Sequence, residues 1–410
     1  MKILFLQDDF PPQSFGGAGI STYELAIGMK KAGHEVFVIT TCRKESEVGE
    51  LDYHGLKIFK IVNNYSGRWR AYLSLYNRKS SHQLDKLLKK IKPDVVHANN
   101  VHFYLSYNSL KISKRYAKVV VITFRDAMSF SFGKLQTKKY LKDFNCRVTW
   151  FDNFKQARKR WNPFRNFFIK RYLGYTDKLF AVSDALAGAL EQNGIKNVET
   201  IHTGIDVGLW HVNEDEIDRF KERFNLRDKK IILFGGRLSG AKGGTKSLEV
   251  MLEIVRHIPD VVLLVVGRID EYVHQMKTDA ERLGIGDKVV FTGWTERGQI
   301  KYTLASSDIV LVPSICFDAF PRTVLEAMAS GKPVIGTLYG GASEVIVDGV
   351  TGYVVNPLYS KEIANKTLIL LKNPQKAEKF GQAGYERVKD NFNLENMVEK
   401  YVTAYKKISK

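Results

Sequence analysis

Long hydrophobic runs are scarce in this sequence. The longest continuous apolar stretch, Val261 to Val266, is far shorter than the roughly 18 residues needed to cross a bilayer, which excludes a membrane-spanning protein. The amino terminus turns acidic at Asp8 and Asp9, too soon for the hydrophobic region of a secretory signal. Both absences predict a cytoplasmic protein.

Cysteine is also scarce. Cys42, Cys146 and Cys316 are widely separated and form neither a CxxC pair nor a Cys/His cluster, which argues against a disulfide framework and a structural zinc site. Repeats of solenoid length and low-complexity tracts are missing too. A chain of 410 residues with 44% hydrophobic and 26% charged residues is therefore an ordinary globular protein of two to three domains.

Positive charge is in excess. Lys and Arg number 63 against 44 Asp and Glu, a formal net charge of +19, which predicts an anionic partner. Thirteen of the cations lie between Lys134 and Lys178, where there are only three aspartates.

Short apolar runs alternate with helix-length segments along the chain. The predicted strands of the first half are 2–7, 35–41, 94–98, 119–124 and 178–183, and those of the second half are 231–235, 261–267, 289–293, 308–314 and 333–337. Continuous apolar strands are buried on both faces, which predicts an α/β fold with two parallel sheets covered by helices. The predicted divisions are a first domain 1–204, a connection 205–228, a second domain 229–390 and a terminal helix 391–410.

A glycine-rich turn, Gly16 to Thr22, follows the first strand and opens a helix. Glycines allow backbone amides to approach an anion at the positive end of the helix. Thr22 stands where a dinucleotide fingerprint has its third glycine, which disfavours a nicotinamide site. A phosphate-binding turn and a merely flexible loop remain the alternatives.

A second glycine-rich loop follows the strand 231–235 and carries Arg237 and Lys242. A guanidinium and an ammonium five residues apart suit a diphosphate. Asp318 and Glu326 follow the strand 308–314, and Pro321 between them suits a helix start, so both carboxylates can face one ligand with sugar or ribose hydroxyls. Glu326 could instead only favour the helix dipole.

Four motifs in this order resemble a known family. GGAG near the start, GRL…KGG, DAFPRTVLEAMASGKPVI and GGASEVIVDGVTGYVV are similar to the retaining family 4 glycosyltransferases of the glycogen-synthase-like group. The resemblance implies the GT-B fold, two facing Rossmann-like domains with an interdomain cleft and a C-terminal helix crossing back to the first domain. It also implies transfer of a hexose from a UDP- or GDP-sugar to a hydroxyl acceptor, for which we expect a lipid-linked or cell-surface glycan precursor.

The resemblance also implies roles for single residues. Domain 1–204 would bind the acceptor and domain 229–390 the nucleotide sugar. Arg237 and Lys242 would hold the diphosphate, which Gly17 would approach from the other domain, and Glu326 would hold the ribose hydroxyls. Asp318 would meet the transferred sugar with the backbone amides of Ala319, Phe320, Pro321 and Arg322.

Two departures from the family pattern stand out. Asp318 replaces the usual Glu, and Arg125-Asp126 stands where many members have a His-Asp pair, so that either Arg125 takes the role of the imidazole or the donor hydroxyls differ. His97 and His202, at strand ends, are candidates for the acceptor side or the cleft, and equally for structural histidines.

No metal or other cofactor is expected. The sequence has no DxD signature, and the acid run Glu214-Asp215-Glu216 falls on the connecting helix, where a solvated face is predicted. When the nucleoside diphosphate leaves, cations of the donor site would stabilise the new negative charge on its phosphate in place of a metal ion.

The basic segment 134–178 is rich in aromatic residues. Trp150, Phe151, Phe154, Trp161, Phe164, Phe167, Phe168, Tyr172 and Tyr175 lie among its cations. This mixture fits peripheral docking on an anionic membrane, simple packing onto the domain or, as the least favoured alternative, a nucleic-acid groove. For the whole chain, the alternatives to a transferase are a nucleotide-sugar epimerase of the same fold and a non-catalytic module that binds sugar nucleotides or nucleic acid.

Overall fold

The computed structural model describes residues 1–236, 238–293 and 295–410. The chain divides into two compact units, Met1–Gly204 with Leu394–Lys410, and Ile205–Asn393. Residues 205–228 thus belong to the second unit, and the last seventeen residues belong to the first.

The first unit is built on an eight-stranded sheet. Its strands are β1 (Lys2–Leu6), β2 (Glu35–Cys42), β3 (Gly49–Tyr53), β4 (Leu56–Val62), β5 (Val95–Ala98), β6 (Val119–Phe124), β7 (Lys178–Ala181) and β8 (Val198–Thr200), in the order β3-β4-β2-β1-β5-β6-β7-β8. All neighbours are parallel except β3 and β4. The central strands β1, β5 and β6 are almost entirely buried, as expected for a parallel sheet covered by helices on both faces.

Eight helices precede the second unit. They are α1 (Gly17–Lys31), α2 (Arg70–Leu73), α3 (Arg78–Ile91), α4 (Asn108–Ser113), α5 (Lys138–Asp143), α6 (Trp150–Ala157), α7 (Arg165–Leu173) and α8 (Asp184–Gln192). Local capping sets several of their starts: the Ser183 hydroxyl accepts from the Leu186 amide, and Thr149 forms a capping box with Asp152.

The second unit has a six-stranded sheet in the order β11-β10-β9-β12-β13-β14, parallel throughout. The strands are β9 (Lys230–Gly235), β10 (Val261–Val266), β11 (Val289–Gly293), β12 (Ile309–Val312), β13 (Val334–Thr337) and β14 (Gly352–Val355). The helices are α9 (Glu214–Arg223), α10 (Gly244–Ile254), α11 (Glu271–Arg282), α12 (Ile300–Ala305), α13 (Arg322–Ala329), α14 (Ala342–Val345), α15 (Ser360–Leu371) and α16 (Pro374–Asn391).

The last helix, α17 (Leu394–Ser409), packs on the first unit. It buries Met397, Val398, Tyr401 and Tyr405 in the core that contains Ile3 and Phe5 of β1. The ten predicted strands are all present, within two residues at each end. None of the helices in the described ranges is both long and apolar enough to span a membrane.

Candidate functional site

An ion pair links two loops at the carboxyl ends of neighbouring strands in the second unit. Lys242 ends a short 3-10 turn after β9, Asp318 follows β12, and the Lys242 ammonium pairs with Asp318 Oδ2. The Ser314 hydroxyl donates to the same oxygen at 3.3 Å. Ligands of open parallel sheets bind at this edge, so the predicted diphosphate and sugar residues lie together where a donor would bind.

The loop of Asp318 is held from behind by the loop after β13. The Gly341 amide donates to the Asp318 carbonyl at 2.9 Å. Gly340 has a φ of +88°, and a Cβ there would lie 2.0 Å from that carbonyl oxygen. Only glycine fits at position 340, and the position of Asp318 depends on it.

Glu326 lies on the second turn of α13 with its side chain almost fully buried. Arg297 donates to Glu326 Oε1 at 2.7 Å, and Arg322 donates to the same oxygen at 3.1 Å. Burial opposes ionisation of Glu326, but the two guanidiniums outweigh it and lower the pKa of this carboxyl below its ordinary value. Glu326 is therefore a fixed carboxylate.

The segment between these two carboxylates differs in part from the prediction. Ala319 and Phe320 are buried, and Pro321 precedes the helix as its cap residue. Pro321 has no amide hydrogen and cannot be one of the predicted backbone donors. Arg322 donates its guanidinium to Glu326, a contact that the sequence analysis missed.

Arg297 is also a site residue that the sequence analysis missed. It belongs to a short 3-10 turn between β11 and α12 and reaches Glu326 across 29 residues of sequence. Its guanidinium also lies over the Trp210 ring, 5.4 Å from the centroid. A single arginine in a polar loop gave no signal. Arg237, the other predicted diphosphate ligand, lies outside the described residues.

In the first unit, Gly17 is exposed at the first residue of α1. The loop before it is fixed by Asp8, whose carboxylate accepts the amides of Phe103, Tyr104 and Leu105 at 2.7 to 2.9 Å. Burial raises the pKa of Asp8 to about 7, although these three amides act in the opposite direction.

Arg125 and Asp126 follow β6 at the carboxyl edge of this sheet. Arg125 Nε donates to Asn99 Oδ1 at 2.9 Å, and its Nη1 lies 3.5 Å from Thr203 Oγ1. Asp126 accepts the Met128 amide at 2.9 Å and lies 3.6 Å from His102 Nε2. Burial lowers the pKa of His102 to about 4, which leaves that imidazole neutral.

Of the two alternatives given for His97, its surroundings favour a structural histidine over a place on the acceptor side or in the cleft. Its side chain is fully buried, with Nδ1 2.6 Å from the Tyr405 hydroxyl and Nε2 2.7 Å from Thr123 Oγ1. Burial, with a smaller effect of Arg125, lowers its pKa well below the ordinary value. His202 follows β8 and is partly exposed.

Two family models match most of the chain. The model described as Glycosyltransferase Family 4 matches residues 15–209, and the model described as Glycosyl transferases group 1 matches residues 215–387. An uncharacterized glycosyltransferase of Methanocaldococcus jannaschii is 25% identical, and the match covers 99% of this chain and 98% of that protein.

Two further proteins are similar in part or in fold. The GDP-mannose-dependent alpha-(1-6)-phosphatidylinositol monomannoside mannosyltransferase of Mycolicibacterium smegmatis is 29% identical over 55% of this chain, which spans 57% of its length. The crystal structure of Anabaena HepE in complex with UDP and glucose has a TM-score of 0.75 and 19% identity, and the match covers 99% of this chain and all of that one. At this identity, the likeness concerns the fold.

Proposed function

Because the chain belongs to the family 4-type glycosyltransferases of the GT-B fold, we propose that it moves a hexose from a UDP- or GDP-sugar to a hydroxyl acceptor. We further propose that the transfer retains the anomeric configuration and needs no metal ion. The observation that carries the donor assignment is the Glu326 carboxylate, buried and fixed by Arg297 and Arg322 at the carboxyl edge of the second sheet.

Glu326 is suited to bind the ribose of the donor. A carboxylate accepts hydrogen bonds from two adjacent hydroxyls, and the paired guanidiniums keep it ionised and correctly oriented. Both guanidiniums donate to the same oxygen, Oε1, and so fix the orientation of the carboxylate before a ligand binds. This preorganisation lowers the cost of binding.

Lys242 and Asp318 are suited to bind the two other parts of the donor, the diphosphate and the transferred sugar. The ammonium of Lys242 provides a cation for the diphosphate, with Arg237 as its partner in the same motif. Asp318 accepts from hydroxyls of the transferred sugar. Its ion pair with Lys242 keeps the two groups adjacent, at the junction of sugar and phosphate.

The reaction breaks the bond between the anomeric carbon and the phosphate oxygen and forms a bond from that carbon to the acceptor oxygen. The electron pair of the broken bond goes to the leaving phosphate, and the acceptor hydroxyl proton goes to a phosphate oxygen on the same face of the sugar. Lys242 and Arg237 stabilise the new negative charge, which is the role that a metal ion has in other transferases.

The proposed acceptor is a lipid-linked or cell-surface glycan precursor. The Mycolicibacterium relative has phosphatidylinositol monomannoside in its name, and the Anabaena structure holds UDP and glucose. These names support a nucleotide-sugar donor and a lipid-borne acceptor for this chain, which would then act on the cytoplasmic face of the membrane.

Calorimetric titration with UDP, GDP and ADP in EDTA tests the donor site. We expect one diphosphate to bind, and Glu326→Gln and Glu326→Ala to weaken it by about tenfold or more, because each removes a charged hydrogen-bond acceptor. Glu378→Ala, an exposed site on α16, is the matched control and leaves affinity unchanged.

Thermal melts verify that the Glu326 variants are folded. Equal affinity in the folded Glu326→Gln variant would disprove the ribose assignment. Binding that appears only after Mg²⁺ is added would disprove metal independence.

A further inference from the structure

The segment 150–168 carries aromatic rings that are exposed to solvent and not packed in the interior of the first unit. Six side chains of this segment are 41 to 64% exposed: Trp150, Phe151, Phe154, Phe164, Phe167 and Phe168. Exposed apolar patches of this kind are rare on soluble proteins unless they contact a partner. Packing alone, one of the alternatives from the sequence, therefore does not account for this segment.

Helix α7 shows the arrangement most clearly. Arg165, Ile169 and Leu173, spaced four residues apart, are buried against the unit. Phe164 and Phe167 lie on the other side of the helix, each 64% exposed. A surface helix normally presents polar residues to water, so this outward phenylalanine stripe indicates a second, apolar neighbour.

A second chain segment joins the same surface, which the sequence analysis did not detect. The Tyr72 hydroxyl of α2 donates to the Trp161 carbonyl at 3.3 Å, and the Trp161 and Trp150 ring centroids lie 4.9 Å apart. Trp69, 48% exposed, contacts Tyr72 edge-on at 6.3 Å. We call the exposed rings of 69–72 and 150–168 the aromatic face.

Cations surround this aromatic face. Lys155 lies 4.4 Å from the Phe151 ring centroid, and the Arg68 guanidinium lies 5.1 Å from that of Trp69. Arg158, Lys159 and Arg160 are exposed in the turn after α6, and within the described part of the chain none of them forms a salt bridge. The face thus offers apolar rings and uncompensated positive charge together.

We propose that the aromatic face docks the protein on an anionic phospholipid bilayer. Aromatic rings partition into the headgroup region, and each nearby cation adds attraction to anionic lipid. A second copy of the chain would bring like charges together. Nucleic acid, whose bases also stack on aromatic rings, is an alternative outcome of the test below.

This inference deepens the proposed function by naming the surface that brings the enzyme to a lipid-linked acceptor, and it rests on that proposal only for the link to catalysis. Vesicle flotation reports on the aromatic face, whereas nucleotide titration reports on the donor site. The failure of either proposal is therefore visible without the other.

The test is flotation of the full chain with vesicles of phosphatidylcholine alone or with phosphatidylglycerol added. We expect recruitment to the anionic vesicles, a loss of about tenfold or more in the Phe164→Ser/Phe167→Ser variant, and a smaller loss for Trp69→Ser. Tyr359→Ser, an equally exposed aromatic of the second unit, is the matched control and keeps wild-type recruitment.

Charge is tested with Arg158→Gln/Lys159→Gln/Arg160→Gln against Lys406→Gln/Lys407→Gln at the end of α17. We expect recruitment to anionic vesicles to be lost in the Arg158/Lys159/Arg160 variant and kept in the Lys406/Lys407 variant. High salt should weaken the recruitment of the wild-type protein. Wild-type recruitment of Phe164→Ser/Phe167→Ser would overturn the proposal. The proposal would also be overturned if the wild-type protein did not float with the vesicles and instead bound an oligonucleotide, with this binding abolished in Phe164→Ser/Phe167→Ser.

Discussion

Two buried carboxyl groups of this chain have pKa values shifted in opposite directions, although burial by itself raises both. Glu326 has two guanidiniums on one oxygen, which lower its pKa despite its burial. Asp8 accepts three backbone amides, but burial and the neighbouring Asp9 raise its pKa to about 7. The difference is the presence of full opposite charges, which outweigh desolvation where dipoles alone do not.

The Asp8 pKa predicts how stability depends on pH. Between its unfolded value of 3.8 and about 7, the folded chain holds a proton on Asp8 that the unfolded chain has lost. The free energy of unfolding therefore falls as pH rises through this window, by about 1.4 kcal/mol per pH unit from this group, and levels off above it.

Urea unfolding of wild type and Asp8→Asn from pH 4 to 8 measures this contribution. We expect the variant to have the flatter profile, because its amide does not titrate. Asp143→Asn, an exposed acid of α5, serves as the control and keeps the wild-type slope. Identical slopes for wild type and Asp8→Asn would show that Asp8 is ionised throughout.

The sequence predicts some residues of the candidate site and not others. Lys242, Asp318 and Glu326 were predicted because each follows a strand in a recognisable motif. Arg297 was not predicted, because its role comes from a contact with Glu326 that no local pattern encodes. For His97 the sequence left both alternatives open, since a strand-end histidine looks the same in sequence whether it faces solvent or the core.

Loops between elements hold the proposed donor residue Asp318 in place, and Gly340 shows how. Gly340→Ala places a methyl group against the Asp318 carbonyl in a left-handed conformation. Gly349 has a similar φ of +74°, but a Cβ there meets no atom within 4 Å. Comparing Gly340→Ala with Gly349→Ala therefore separates the effect of backbone strain on stability from the effect of steric overlap.

We expect Gly349→Ala to lower the free energy of unfolding by about 1 to 2 kcal/mol from strain alone. Gly340→Ala should cost about 1 to 3 kcal/mol more, because the Asp318 loop must move. Denaturant unfolding of both variants measures the difference, and nucleotide titration shows whether the site moves with it. Equal losses would mean that the loop after β13 does not support Asp318.

The ten predicted strands are those with longer apolar runs, and the four that were missed are β3, β4, β8 and the four-residue strand β14. Strand β3 is an exposed edge with the sequence GELDY, and β4 alternates charged and apolar residues. Strand β8 has three residues with no fully buried side chain. Short or half-exposed strands form because a neighbouring strand supplies their hydrogen bonds, which is not a local property.

The first unit is assembled from the two ends of the chain. Helix α17 completes its core, and the Tyr401 and Tyr405 hydroxyls lie 3.0 and 2.6 Å from Thr123 Oγ1 and His97 Nδ1. Without α17, an apolar face and a buried histidine would be exposed. The second unit, by contrast, is a continuous segment.

We therefore expect fragment 205–393 to fold alone and fragment 1–204 to unfold at markedly lower denaturant. Joining 394–410 to 1–204 through a short flexible linker should restore cooperative unfolding, because it returns the missing part of the core. Circular dichroism during denaturation distinguishes the fragments. A stable 1–204 fragment, or a non-cooperative 205–393 fragment, would contradict this assignment.

The sequence by itself determined the α/β fold, the ten principal strands, the carboxyl-edge position of the motifs with Lys242 and Asp318, and the family. These are local properties, since periodicity, glycine placement and motif order are written in consecutive residues. The tertiary structure decided the partners of Glu326, the burial of His97, the extension of the aromatic face to Trp69 and the place of α17. Each of these depends on residues far apart in the chain, whose contacts form only when the sheets and helices pack.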